Sequence, residues 1–452
     1  MTILEDAAEF SRSASCRSIP EEVFEIGKRA LIDFLGLALR GSREAVSRIV
    51  QSYIGSMATT PESKVFGTNL SVSRNLAALA NGVSGHSLDF DDVSWSTIGH
   101  PTVTVAPSVF ATGEVVKASG EEILSAYAVG VEVAHKIAAL VMPQTSSSGW
   151  HTTSVFGPLG GAAASARLMA LEKDPFTFAL GIATSTAGGL RANFGTMTKP
   201  YHAGMAAFNG TTSAILAGMG LTAASNAIEA TDGFGQVFSG SRLENSTVNF
   251  GDPWDIVEPG LVFKKYPCCS GTHPAIDCLL EILHKTPFTS DQLESISVGV
   301  SQLGPLELVC HDPGTATEAR FSMEYALAAA VRYGKVGLEQ FETSCINDPQ
   351  IKELIPKIRM ELDPEFTPLG LIGTAPAKLR IVLKDDRTLD GRCDLAKGNP
   401  EKPLSDGELS CKFLECVSDI IALRNSKRIL KDLFAFEKID DINSILKMIQ
   451  LL

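Results

Sequence analysis

The sequence lacks a basic face. Its 39 Lys and Arg are outnumbered by 52 Asp and Glu, the formal charge is −13, and no cluster of five or more basic residues occurs. Nucleic-acid binding needs such a footprint and is excluded, although an acidic chain can still hold a basic pocket for an anionic substrate. Cysteine is sparse: there are nine, an odd number, with an adjacent pair at Cys268-Cys269 and no C-x-x-C spacing. That pattern fits neither a zinc site nor a disulfide framework, and a reducing compartment is expected. Met1-Thr2-Ile3-Leu4-Glu5-Asp6 has early acids and no basic stretch ahead of an apolar run, so no signal peptide and a cytoplasmic location are expected. Charge is nearly absent from 137 to 228, where Arg167, Glu172, Lys173, Asp174, Arg191 and Lys199 are the only charged residues. The uncharged runs 137–166 and 200–228 are long enough to raise a membrane reading. They are rich in Ser, Thr and Gly rather than Leu and Ile, which describes close-packed helices of a soluble domain, and no membrane contact is expected.

What is present is an ordinary globular composition, 44% hydrophobic and 20% charged, long enough at 452 residues for two or three domains. The stretch from Gly85 to Thr102 draws attention first. It gathers Asp89, Asp91, Asp92, His86, His100 and Trp95 within eighteen residues and ends on a His-Pro step that disfavours helix at His100. Loops of this composition tend to carry chemistry. The alternatives are a solvated acidic loop, or a cation site built from Asp89, Asp91 and Asp92, which lacks the spacing and Gly of a calcium loop.

Around that stretch the chain reads as helix. Ser18-Ile19-Pro20-Glu21 has the form of a capping box, followed by Val23, Ile26, Ala30, Leu31, Phe34, Leu35 and Ala38 at helical spacing up to Gly41. Arg74 to Ala80 predicts a short helix, and Glu121 to Leu140 a long one after the turn pair Ser119-Gly120; no strand signal falls among them. His151 stands just before a further helix start. Lys199 sits in Thr198-Lys199-Pro200-Tyr201-His202, where a Lys in such apolar surroundings implies a depressed pKa or a bound anion. Beyond Asp252-Pro253-Trp254 the pattern changes. A helix is predicted at 275–284, then strands at 295–301 and from Lys378 to Leu389 through a turn-like Lys384-Asp385-Asp386-Arg387, with a helix at 322–333 between them. Residues 263–397 thus read as a smaller α+β domain, broken off by Lys397-Gly398-Asn399-Pro400, after which helix returns.

Several motifs together resemble the MmgE/PrpD family: Leu88-Asp89-Phe90-Asp91-Asp92 with its following His100-Pro101, Gly149-Trp150-His151-Thr152-Thr153, Thr198-Lys199-Pro200-Tyr201-His202, Lys264-Lys265-Tyr266-Pro267-Cys268-Cys269 leading to Thr272-His273, and the break near residue 400. The resemblance spans nearly the whole chain. It implies a mainly α fold in which 1–262 plus 398–452 form a large all-α helical domain and 263–397 an α+β lid. It further implies a homodimer and neither metal nor organic cofactor. The catalytic pocket would hold Asp89, His100, His151, Lys199 and Lys264, with His202, Cys269 and His273 nearby as substrate-binding residues.

The residue types suit that chemistry. A small di- or tricarboxylate needs cations to neutralise it, and the weakly acidic proton next to a carboxylate needs a positioned base and stabilisation of the enolate-like charge. His151, with a working pKa near neutrality, is the preferred second proton carrier. Lyases of the family tend to read D-D-T where this chain has Asp91-Asp92-Val93, and the loop from Asp89 to His100 is one residue longer than in the animal decarboxylases. The missing hydroxyl makes epimerisation of the iminodisuccinate epimerase type the leading expectation for this isomerase reading. Dehydration of 2-methylcitrate or a similar substrate follows, and then decarboxylation of cis-aconitate. A non-enzymatic organic-anion binder is the rival from another class, and it would have no use for Asp89, His100 and His151 together.

Overall fold

The computed structural model describes residues 1–243, 246–370 and 375–449. The fold is mainly α with a small mixed sheet, as the sequence predicts. Its longer N-terminal helices are α1 (Ile3–Ser13), α2 (Glu21–Gly41), α3 (Ala45–Gly55), α4 (Arg74–His86), α5 (Thr102–Val116), α6 (Gly120–Ala139), α7 (Thr152–Leu168), α8 (Lys173–Thr184) and α9 (Thr198–Gly218). Two starts differ from expectation. The chain opens one helix earlier, at α1, where Thr2 and Glu5 form a reciprocal capping box. The box expected at Ser18 does not form: Pro20 is the N-cap of α2 without a side-chain bond, and Ser18 Oγ donates instead to Ser15 O. Ser119 does cap α6, in a box with Glu122.

The charge-poor helices α7 and α9 pack against α4, α5, α6 and one another. Small residues make this possible. A Cβ on Gly82 of α4 would stand 2.9 Å from the Gly204 Cα of α9, and one on Gly160 of α7 would stand 2.8 Å from Gly130 O of α6. No helix among the described residues is long and apolar enough to cross a membrane. The apolar run at 137–228 therefore serves interhelical contact.

Four short strands interrupt the helical part, contrary to the expectation of helices alone. β1 (Ser63–Lys64) pairs with β2 (Ser71–Val72), and β3 (Val93–Ser94) pairs antiparallel with β4 (Leu261–Val262). Two-residue strands leave no alternation to read. The second ribbon matters for function, because it lays the Asp-rich stretch beside the residues that lead into Lys264.

The remaining strands, β5 (Leu293–Val300), β6 (Ile358–Leu362), β7 (Ala377–Leu383) and β8 (Thr388–Cys393), form a sheet in the order β6-β5-β7-β8. β5 runs parallel to β6 and antiparallel to β7, and the predicted Lys384–Arg387 turn joins β7 to β8 in a hairpin. Leu293, Ile296, Val298 and Val300 alternate inward on β5, as do Ala377, Leu379, Ile381 and Leu383 on β7. They pack on α10 (His273–Lys285) and α11 (Met323–Tyr333) in an apolar cluster drawn from 266–383. A larger cluster draws on residues 3–263 and, through α12 (Asp406–Val417) and α13 (Leu423–Phe434), on 404–449. Where the chain passes between these regions its two crossings touch: Phe263 N donates to Gly398 O at 2.9 Å. Gly398 has φ +105°, and a Cβ there would fall 2.0 Å from Phe263 O, so the Lys397–Pro400 break needs glycine.

Candidate active site

Helix α4 runs six residues past its expected end and delivers His86 in its last turn. The chain then turns through Asp89 in a left-handed conformation, φ +50°, which Asp tolerates better than most residues. Asp89 Oδ1 accepts from Lys199 Nζ at 2.5 Å, and Oδ2 from Lys264 Nζ at 2.8 Å. Lys264 Nζ also donates to the Asp89 carbonyl, again at 2.8 Å. Three chain segments far apart in sequence therefore converge on one carboxylate. Burial alone would push Asp89 up, but the ammonium groups of Lys199 and Lys264 hold it well below the usual carboxylate range. Asp89 in turn raises Lys264 against the opposing effect of burial. For Lys199 the anion expected from its apolar setting is Asp89, and the rings of Phe194 and Phe321 lie 5.3 and 4.9 Å from its ammonium.

The neighbouring acids have other partners. Asp91 Oδ2 lies 2.9 Å from both His86 Nδ1 and His100 Nδ1, the second contact being poorly aligned for a hydrogen bond. Against burial, these imidazoles hold Asp91 well below the usual range. Asp92 accepts from Thr102 Oγ1 at 2.5 Å, and burial, reinforced by Asp91 and Asp33, pushes it up to about 8. The three carboxylates do not converge, so the cation site imagined for them is not built. Ligand atoms of His86, Asp89 and His100 do lie within 4.8 Å of one another. Both Asp89 oxygens are already taken by ammonium groups, which is a poor fit for a cation.

His151 is the N-cap residue of α7, and its motif fastens the acidic loop: Thr152 Oγ1 donates to Ile98 O at 2.7 Å, and His100 N donates to Thr153 Oγ1 at 3.0 Å. Ile98 takes φ +47°, a strained conformation for a β-branched residue, at the cavity wall. His151 Nδ1 lies 3.1 Å from His202 Nδ1, while His151 Nε2 is buried without a partner among the described residues. Desolvation, then the charge of Lys199, pushes His151 well below its ordinary value. That corrects the expectation of a group titrating near neutrality. Burial likewise lowers His100 to about 3, despite Asp91, and His202 to about 4.

Asp89, His100, His151, Lys199, Lys264 and Cys269 all line one cavity, together with Val93, Trp95, Phe194, Glu307 and Phe321. Its volume is about 20 Å³, room for roughly one water. Two expected residues stand outside it. His202 supports His151 from behind, and His273 lines an adjoining cavity of about 10 Å³ with Trp95, Ser270 and Asn399 while its Nε2 lies 3.2 Å from Cys268 O. A larger cleft of about 720 Å³ lies elsewhere, among Glu9, Arg12, Glu122 and Arg167. Its cations are engaged already, Arg12 by Glu172 and Arg167 by Ser11 O, Ala14 O and Ser125 Oγ.

Sequence reasoning left out His86, Glu307 and Lys412. His86 lay in the flagged stretch, but nothing there shows that it shares Asp91 with His100. Glu307 follows Gly304-Pro305-Leu306 with no motif around it. Lys412, on α12, is buried with its Nζ 2.7 Å from Phe90 O, 2.9 Å from Lys264 O and 2.8 Å from Asp33 Oδ1. A lone Lys among polar helix residues carries no signal of such a role.

Comparison with known proteins agrees with the motifs. Residues 5–245 match the MmgE/PrpD N-terminal domain and 266–434 the MmgE/PrpD C-terminal domain. The cis-aconitate decarboxylase of Mus musculus is 28% identical, with 99% of this chain and 93% of that protein covered. For the Homo sapiens cis-aconitate decarboxylase the figures are 28%, 96% and 91%. A cis-aconitate decarboxylase-like protein of Aspergillus oryzae is also 28% identical, over 95% of this chain and 94% of its own length. With both domain models matched along a chain whose motifs meet in one cavity, this protein belongs to the MmgE/PrpD family.

Proposed function

We propose that this chain is a lyase acting on a small polycarboxylate related to cis-aconitate, and that its chemistry starts at the carbon next to a carboxylate. The observation that carries this reading is the meeting of Lys199, Lys264, His100 and His151, whose Nε2 has no partner among the described residues, in one cavity. The ammonium groups supply the positive field that a carboxylate substrate and its enolate-like transition state need. His151 Nε2, which has no partner among the described residues, is the group placed to take or return a proton. The relatives named as cis-aconitate decarboxylases favour bond cleavage, with loss of carbon dioxide or water, over the simple inversion that led the expectations. Inversion is kept as a second reading on one observation: Val93 lines the cavity and offers no hydroxyl there.

A cavity of about 20 Å³ is too small for a six-carbon acid, so binding requires opening. In this proposal residues 263–397 act as a lid on the helical part, hinged at the touching crossings Phe263 and Gly398.

The test is incubation with cis-aconitate, 2-methylcitrate, citrate and iminodisuccinate in deuterated water, followed by NMR. Release of carbon dioxide or water from one of them is the expected result. Deuterium entering the α-position with neither product formed would overturn the lyase reading in favour of inversion. No exchange and no product from any of the four would remove the catalytic reading.

A further inference from the structure

Glu307 is an unassigned acid in the cavity wall. It ends a short helical segment, Leu303–Glu307, and its Oε2 accepts from the Cys269 thiol at 3.3 Å. Its Oε1 has no hydrogen-bond partner among the described residues. The formal charges lining or bordering the chamber balance without it, since Lys199 and Lys264 are matched by Asp89 and Asp91. Burial lowers His100 to about 3 and pushes His151 well below its ordinary value. A substrate carboxylate placed against Glu307 would meet an acid instead of a cation, whereas a hydroxyl or N–H would meet an acceptor.

We propose that Glu307 is a specificity-determining residue, selecting a carboxylate substrate that presents a hydrogen-bond donor, a hydroxyl or N–H group, to its free Oε1. This rests on the carboxylate-binding reading above and deepens it. Burial raises the Glu307 carboxyl, the Cys269 bond and the two ammonium groups opposing it. Its carbonyl oxygen accepts from a donor in either protonation state. A site that hydrogen-bonds a substrate group binds the analogue that lacks it more weakly, because that bond is lost.

Succinate and malate, which differ by one hydroxyl, provide the test. Their dissociation constants would be measured by calorimetry at neutral pH on the full chain, on Glu307→Gln and on Glu307→Ala, each variant with wild-type melting behaviour. The expected result is that wild type prefers malate by about tenfold or more and that Glu307→Ala brings the ratio close to one. Glu307→Gln, which keeps an acceptor and loses the charge, should retain part of the preference and bind succinate more tightly than wild type. An equal ratio in wild type and Glu307→Ala overturns the role of Glu307 and leaves the carboxylate site intact. If wild type binds neither acid, the carboxylate reading fails and this inference with it.

Discussion

Lys199 and Lys264 share one carboxylate, and that sharing decides what replacing either of them does. In Lys199→Met, Asp89 keeps Lys264 on Oδ2 and on its carbonyl, so no buried charge is orphaned, and methionine fits between Phe194 and Phe321. Melting behaviour should therefore stay close to wild type while turnover is lost. His151→Gln should behave the same way, each loss being on the order of 100-fold or more, as for other acid-base groups. A folded variant of either kind that keeps about a tenth of wild-type rate would remove that residue from the chemistry. Asp92 makes a separate prediction about pH. Its folded-state pKa, about 8, lies above the ordinary carboxylate value of 3.8, so the folded protein holds a proton there that the unfolded chain releases between about pH 4 and 8. Its contribution is complete below that window and is lost as pH rises through about 8. Melting temperature should fall across the window, and Asp92→Asn should flatten the fall; an unchanged slope in a folded Asp92→Asn would show that Asp92 does not titrate this way.

Among the elements, α12 does more than cover apolar surface. Lys412 holds the carbonyls of Phe90 and Lys264, the residues beside and within the Asp89 cluster, and pairs with Asp33 of α2. Lys412→Met would leave Asp33 buried and unpaired, a loss of about 3–5 kcal/mol by analogy with other broken buried pairs. Adding Asp33→Asn should recover much of it, which a chemical-denaturation cycle would measure; strictly additive losses would show that the two charges are not coupled. The contrast between Lys412 and Lys199 shows what was legible in the sequence. Lys199 stood out because nothing else near it was charged, and His151, Lys264 and Asp89 stood in motifs. Lys412 and Glu307 look like ordinary polar residues of their segments and gain their roles only from partners hundreds of residues away or on another element. The helices and long strands were legible from periodicity, whereas β3 and β4 are too short to show any and yet bring 93–94 against 261–262. Burial was the other hidden quantity: it moves His151 far from the value that its residue type suggests.

At the scale of the whole molecule, the proposed lid requires that ligand binding tighten the junctions. A saturating carboxylate should slow proteolysis near residues 255–265 and 397–403, the two crossings that meet at Phe263 and Gly398. Cleavage at equal rates with and without ligand would separate closure from binding.

The pairing of Lys412 with Asp33 spans 379 residues, and this has a consequence for how the protein is made. Asp33 leaves the ribosome 379 residues ahead of its counter-ion. While those residues are made the acid of α2 must stay hydrated or protonated, so the helical part cannot settle into its final packing until α12 arrives. Nascent chains halted before Lys412 should be loosely packed and quickly degraded, however complete their N-terminal half. Pulse-labelling of ribosome-bound chains of increasing length would show protease resistance arising in one late step, and a resistant intermediate ending near residue 262 would contradict that order.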